Sequence, residues 1–275
     1  MAGEDTFVAL RRRALLDEHR PRLLGLAYRL LGTVTDAQLV LDEAARSCSS
    51  TDLTTLVTQA ALRRLSEVQP RGVGYAGRWL PEPVRSSTLS LPRLLALEEL
   101  SPLERCAYVL RVVDGLPYAE VATALGRSGP ATRQLVRRAR QRLTEGRART
   151  VLDDSAVPRF AAACRTARLA PLERALATEV VVVTDAPSPH PLRGDQAAAV
   201  LLATLRRLPP GTVLVEEPVN GEPGLVGRVG AGPVAAFAVQ PRGGRIGVVL
   251  AVTRPARLVG LAASATRGAP GRRMP

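Results

Sequence analysis

Five arginines, Arg133, Arg137, Arg138, Arg140 and Arg142, crowd one short stretch of this 275-residue chain, and a row of guanidinium groups is suited above all to binding phosphate. No acidic residue occurs between Ser128 and Thr144, so the row lacks the neighbours three or four positions away that would neutralise it. The alternative for any such run is a solvated helix face. Other chemistry is thinly supplied. Asp185 and His190 are the one acid-base pair close together, and they flank the loop Ala186-Pro187-Ser188-Pro189 instead of occupying inward-facing strand positions, so no catalytic residue is assigned. Two histidines and three dispersed cysteines, Cys48, Cys106 and Cys164, offer no metal-ligand spacing, and the apolar helical context of each cysteine predicts a buried, reduced thiol. Gly227, Gly230 and Gly232 read as turns, not as a dinucleotide loop. Neither cofactor nor metal is expected.

The arginine row needs an element to hold it, and the flanking residues supply one. Ser101-Pro102-Leu103-Glu104 is a capping box with proline at the first helical position, and Leu103, Cys106, Ala107 and Leu110 follow at helical spacing. Gly115 stops that helix. A second begins after Pro117, with Tyr118, Val121, Ala122 and Leu125 inward, and Gly126 supplies the sharp reversal. Ser128 is the expected N-cap of a third helix running from Gly129 to Leu143, which turns Thr132, Leu135, Val136, Ala139 and Leu143 inward and the arginines outward. This is a helix-turn-helix, and its last helix is placed to enter a major groove. Ser128, Thr132, Arg133, Gln134 and Arg137 lie in the half expected nearest the bases, while Arg138, Arg140 and Arg142 are expected to meet phosphate.

The run LSPLERCAYVLRVVDGLPYAEVATALGRSGPATRQLVRRARQRL resembles region four of the bacterial extracytoplasmic-function sigma factors, which reads the upstream promoter element. The resemblance implies promoter DNA and the RNA polymerase core as partners.

Composition agrees with a polyanionic partner. The formal net charge is +13, and all 38 basic residues are arginine, a uniformity that fits coding bias as well as selection. No apolar run reaches the length of a membrane span and no signal-peptide core follows the N-terminus, so a cytoplasmic location without membrane contact is expected.

Residues 1–68 read as four helices in a bundle, with Gly32 closing one helix, Thr35-Asp36 opening the next and Asp52 capping the fourth. RPRLLGLAYRLLGTVTDAQLVLDEAARSC is similar to sigma region two, which grips the polymerase and opens the downstream promoter element. The resemblance places polymerase contact on Asp36, Asp42 and Glu43. It is degenerate where these tasks are done: the usual acidic and aromatic continuation is replaced at Gln38 to Cys48, and the helix from Asp52 to Val68 has no aromatic residue to stack on an unpaired base. Thr54, Thr55 and Thr58 read there as an exposed polar face.

Residues 69–98 read as a linker, and Tyr75 to Pro83 resembles the signature of the sigma subgroup that bears a C-terminal SnoaL-like domain. Tyr75 and Trp79, aromatics between prolines, are expected to dock the two halves. With the helix-turn-helix at 99–150, residues 156–263 then read as α+β. Helices are expected at Val157 to Arg168, Pro171 to Ala177 and Gly194 to Leu208, on a curved antiparallel sheet whose hairpins turn at Asn220-Gly221 and Gly243-Gly244. FAAAC, VVVVTD and VNGEP at residues 160–164, 180–185 and 219–223 resemble the SnoaL-like cone, whereas the subgroup's terminal motif reads Arg254-Pro255-Ala256-Arg257 here. Residues 264–275 read as a disordered basic tail.

The expectation is a multidomain chain, an all-α N-terminal bundle and helix-turn-helix followed by a SnoaL-like α+β cone. It would act as a sigma-factor-like initiation regulator modulated by its C-terminal domain, which has room for a small ligand. Two alternatives stay open: a degenerate relative that binds DNA or a partner without opening promoters, and a ligand-binding or catalytic cone carrying a vestigial sigma half. Oligomeric state is not legible.

Overall fold

The sheet of this protein is apolar on both faces, and that governs its architecture. In the computed structural model, which describes residues 18–47, 52–67, 80–85, 87–144, 155–185 and 191–262, six strands lie in the order β2-β1-β6-β5-β4-β3. They are β1 (Leu176–Thr184), β2 (Leu192–Arg193), β3 (Val213–Val219), β4 (Glu222–Val229), β5 (Gly232–Arg242) and β6 (Arg245–Val252). Alternate residues of β5 go to different cores. Ala235, Phe237 and Val239 pack with three helices of the same half, whereas Ala236 and Ala238 pack with the N-terminal helices. A strand run rich in Val and Ala, without polar alternation, is what a sheet covered on both sides requires.

The covering helices of the C-terminal half are α8 (Ala156–Thr166), α9 (Leu169–Ala175) and α10 (Gly194–Arg206). Their fully buried Phe160, Leu172 and Leu201 meet Phe237 and Ile246 of the sheet. The sheet is mixed, not antiparallel as expected. Three hairpins fix the direction of β6, and α10 carries the chain from β2 across to the far edge at β3, so β6 returns beside β1 running parallel to it. Gly227, expected in a turn, lies inside β4, where a Cβ would come within 3.3 Å of Ala235; Gly230, at φ +58°, is the turn residue.

The N-terminal helices are α1 (residues 18–31), α2 (Val34–Ser47), α3 (Leu53–Glu67), α4 (Leu91–Ala96), α5 (Pro102–Tyr108), α6 (Tyr118–Leu125) and α7 (Gly129–Thr144). Thr33, not Thr35, caps α2, its hydroxyl accepting from the Asp36 amide at 3.1 Å. Asp52 caps α3 through the amides of Thr54 and Thr55. Thr58, expected on an exposed polar face, is fully buried, because α3 packs against α5 and α6.

The stretch expected as a linker is partly structural. It contains α4 and the 3-10 turn Leu97–Glu99, and Leu80, Pro81, Glu82 and Pro83 are buried. Proline and extended backbone leave a segment without internal hydrogen bonds, so its polar groups must be satisfied from outside. The Glu82 amide donates to Gly32 O, Val34 N donates to the Glu82 carboxylate, and the buried Arg257 guanidinium donates to Leu80 O at 2.8 Å. Asn220, in the left-handed region at φ +54°, completes the joint. Its amide and side-chain oxygen pair with Val84 O and Val84 N, and its Nδ2 donates at 2.8 Å to the Tyr28 hydroxyl, which itself donates to Glu82 O. Tyr75 and Trp79, expected at this joint, lie outside the described residues, as do Cys48, His190 and the tail 264–275.

Removing the Asn220 side chain strands the part-buried Val84 N and withdraws a donor from the buried Tyr28 hydroxyl, and a buried group left unpaired costs about 1–3 kcal/mol. Asn220→Ala and Asn220→Gly are both expected to lower unfolding free energy in urea titrations by about 2–3 kcal/mol. A loss confined to Asn220→Ala would assign the effect to the left-handed backbone instead of the hydrogen bonds.

Candidate nucleic-acid interface

The unit that presents the arginines is built from its caps inward. Ser101 accepts from the Glu104 amide and Glu104 reaches back to the Ser101 amide, a complete capping box, with Pro102 at the first position. Helix α5 then widens into a π-turn at Val109–Val113 that ends on Asp114 N to Val109 O and Leu116 N to Leu110 O. Gly115, at φ +75°, turns the chain toward α6. Arg111 steadies this corner, its guanidinium 4.8 Å from the Tyr118 ring centre and donating to Leu116 O at 3.1 Å. Helix α6 closes on Gly126 in the left-handed conformation with Arg127 N bonded to Ala122 O, and Ser128 Oγ accepts from Ala131 N to begin α7.

On α7 the stripe Thr132, Val136 and Ala139 is buried against α5 and α6. Arg133, Arg137, Arg138, Arg140 and Arg142 are exposed, and Gln134 is half-buried among them. The structure thus brings the arginines, Gln134 and Ser128 to one outer surface. Thr132 is a correction: the helical period that turns Val136 inward turns it inward too, and its hydroxyl donates to Ser128 O at 3.0 Å, so it reaches no base. Arg142 is paired with Glu104 at 2.7 Å, tying the end of α7 to the cap of α5.

The acidic residues of α2 are largely committed internally. Asp36 receives two bonds from Arg64 of α3, the shorter 2.7 Å, and Glu43 is paired with Arg63 at 2.6 Å; Asp42 is exposed. Buried cations lock these helices to the helix-turn-helix. Arg105, 4% exposed in its side chain, donates to Leu30 O and Leu97 O and pairs with Glu98, and Arg29 of α1 pairs with Asp114 at 2.7 Å. Periodicity did not single out Arg105 or Arg257, and Asn220 was legible as a hairpin turn residue but not as the partner of Val84 and Tyr28.

Chemistry elsewhere is quiet. Asp185 is buried and accepts from the amides of Thr253 and Arg254 and from the Thr253 hydroxyl, which spends its carboxylate on holding the chain after β6. Cys106 and Cys164 are buried free thiols, and burial pushes both up to about 12, far from thiolate reactivity. Burial raises the carboxyl of Glu82, while the Arg228 hydrogen bonds hold Glu217 below the ordinary carboxylate range. Among the described residues no group of three His, Cys, Asp or Glu side chains is placed to hold a metal, and no helix is long and apolar enough to cross a membrane.

Comparison with known proteins gives these features a context. Residues 94–143 match the family described as Sigma-70, region 4, a span from α4 to the end of α7. The chain is similar to the ECF RNA polymerase sigma factor SigJ of Mycobacterium tuberculosis, with 36% identity over 46% of this chain and 47% of that protein. It is also similar to the probable ECF RNA polymerase sigma factor SigI of the same organism, with 31% identity over 61% of this chain and 59% of that protein. The chain thus spans about half the length of the curated relatives it matches. The crystal structure of the extracytoplasmic function sigma factor SigJ superposes with a TM-score of 0.71 at 28% identity, covering 90% of this chain and 98% of that one. The likeness therefore runs through both the helical and the sheet half, a multidomain helical plus α+β architecture.

Placement on α7 separates the arginines by expected effect. Arg138→Ala and Arg140→Ala should weaken binding to every duplex and reduce the slope of log affinity against log salt by about one unit each at most. Arg133→Ala should relax sequence preference, and Arg142→Ala should lower the melting temperature more than it lowers affinity. Anisotropy titrations across a salt series, beside thermal melts, check all three.

Proposed function

We propose that this chain, a homologue of the extracytoplasmic-function sigma factors with their region 4 and a SnoaL-like α+β half, binds promoter DNA through α7 and regulates transcription initiation together with the RNA polymerase core. The carrying observation is the outer face of α7, where exposed arginines stand on a helix whose cap, turn and buried stripe are all in place. Ser128, Arg133, Gln134 and Arg137 would face bases, and Arg138 and Arg140 phosphate. Asp42, exposed on α2, is the residue we assign to polymerase contact, with Asp36 and Glu43 contributing only if Arg64 and Arg63 release them. The C-terminal half modulates both tasks through the joint at Leu80 to Pro83. We propose no catalytic role for it, since Asp185 is wholly occupied by backbone and hydroxyl donors. The setting of this work is the cytoplasm, where polymerase and promoter meet.

A second reading is favoured by one observation: α3, the helix that would capture an unpaired base, packs against α5 and α6 and has no aromatic residue. On that reading the chain binds duplex and polymerase but opens promoters weakly or not at all alone.

Migration of the purified chain with core polymerase tests the first reading, and free migration of the two at micromolar concentration would sink it. Thymine reactivity in a bound promoter decides between the readings. We expect little above the level with core polymerase alone; strong reactivity with this chain as the sole sigma would establish full promoter opening.

A further inference from the structure

The joint between the halves is tight at one end and open at the other. At the β3–β4 hairpin the backbones nearly touch, since a Cβ on Gly221 would lie 3.0 Å from Ser87 O. Beside it the sheet and the helices diverge around a cleft of ≈ 1510 Å³ that reaches from Gly221 and Glu222 of the hairpin to Leu143 of α7. One wall is the sheet face turned away from α8 to α10, with Val181, Val183, Val248 and Leu250; the other is helical, with Leu95, Val112, Val113 and Leu143. Six of these eight, all but Val183 and Leu250, are only partly buried, so two apolar surfaces face each other without meeting. The layer between the sheet and its own helices is different, with Phe160 and Phe237 fully buried at its centre.

The polar groups around the cleft select the charge of an occupant. Arg142 is paired with Glu104, Glu216 with Arg165, and Glu217 with Arg228. Glu99 and Glu222 remain on the rim, and Arg93 is directed electrostatically at Glu222. Each lining cation thus has an acidic neighbour, Glu104 for Arg142 and Glu222 for Arg93. The volume exceeds that of an ordinary ligand pocket, about 300–1,000 Å³, and the two facing walls offer apolar contact with the charged groups set around them.

We propose that this cleft is a binding site for an uncharged, flat, apolar small molecule, seated between the sheet and the helix-turn-helix unit instead of inside the α+β half. Such a molecule touches Val112 and Val113 of the π-turn and Leu143 at the end of α7, so its binding free energy is coupled to the DNA-reading unit, and the coupling is reciprocal. Only this coupling rests on the DNA-binding reading; occupancy of the cleft does not.

Nile red, an uncharged flat dye that brightens in apolar surroundings, tests the site with the full chain. Saturable binding of one dye per chain is expected. Val112→Trp and Val248→Trp, one from each wall, should each weaken it at least tenfold while keeping the cooperative melt. If either loses that melt, Val181→Phe on the sheet wall gives the same reading. Dye binding unchanged by filling both walls, non-saturable binding, or self-association of the chain that excludes the dye would overturn the site. For the coupling, saturating dye should shift duplex affinity severalfold, and duplex should shift dye affinity by the same factor. Arg137→Ala, by weakening duplex binding alone, reports separately on the DNA-binding reading.

Discussion

A carboxamide in a hairpin holds this molecule together. Asn220 occupies a left-handed turn position that few side chains tolerate, and from it engages Val84 by both backbone and side chain and Tyr28 by its amide nitrogen. Those partners belong to a proline-bounded strip and to the first helix. With Asn220 in place, the strip has a partner for groups that it cannot satisfy itself, and the Tyr28 hydroxyl, which burial holds above its ordinary titration range, donates a hydrogen bond to Glu82 O. The sheet can then turn its second apolar face against the helices without leaving the intervening strip unpaired. The joint and the cleft beside it depend on this arrangement.

The helical half has a related economy. Glu104 serves as the return arm of a capping box and as the partner of Arg142, so one buried carboxylate fixes both the start of α5 and the end of α7. Arg105, the next residue, spends its guanidinium on carbonyls of α1 and the 3-10 turn. Adjacent residues thus face opposite tasks, one squaring the helix-turn-helix and the other attaching it to α1. The cost is polar burial: Arg29 Nε, Arg111 Nε and Thr58 Oγ1 are buried atoms without a partner, all within the helices.

What could be read in the sequence was what is local. The capping box at Ser101, the glycine stops at Gly32, Gly115 and Gly126, the inward stripe of α7 and the Asn220-Gly221 turn are decided within a few residues, and each formed as its neighbours dictate. The outward arginines of α7 followed from the same period, and Thr132 fell on the wrong side only because it was given a role that the period denied it. Distant pairing was not legible. Leu80-Pro81-Glu82-Pro83 has the composition of a loop, and its burial is set by residues 220 and 257, more than a hundred positions away. The parallel pairing of β1 with β6 has the same origin, since strand propensity fixes neither partner nor direction. Asp36 and Glu43 kept their acidic character in the sequence, but the arginines that hold them come from another helix.

The distance between Tyr28 and Asn220 has a consequence for the newborn chain. These residues are 192 positions apart, so at about 5–20 residues per second a ribosome needs about 10–40 s to make the second after the first. Over that interval α1, the proline strip and the helix-turn-helix are already outside or leaving the exit tunnel, while the hairpin that will fasten them does not exist. The DNA-reading unit is free to fold on α1 and α3, the helices it packs against, before the hairpin that fastens the two halves is made.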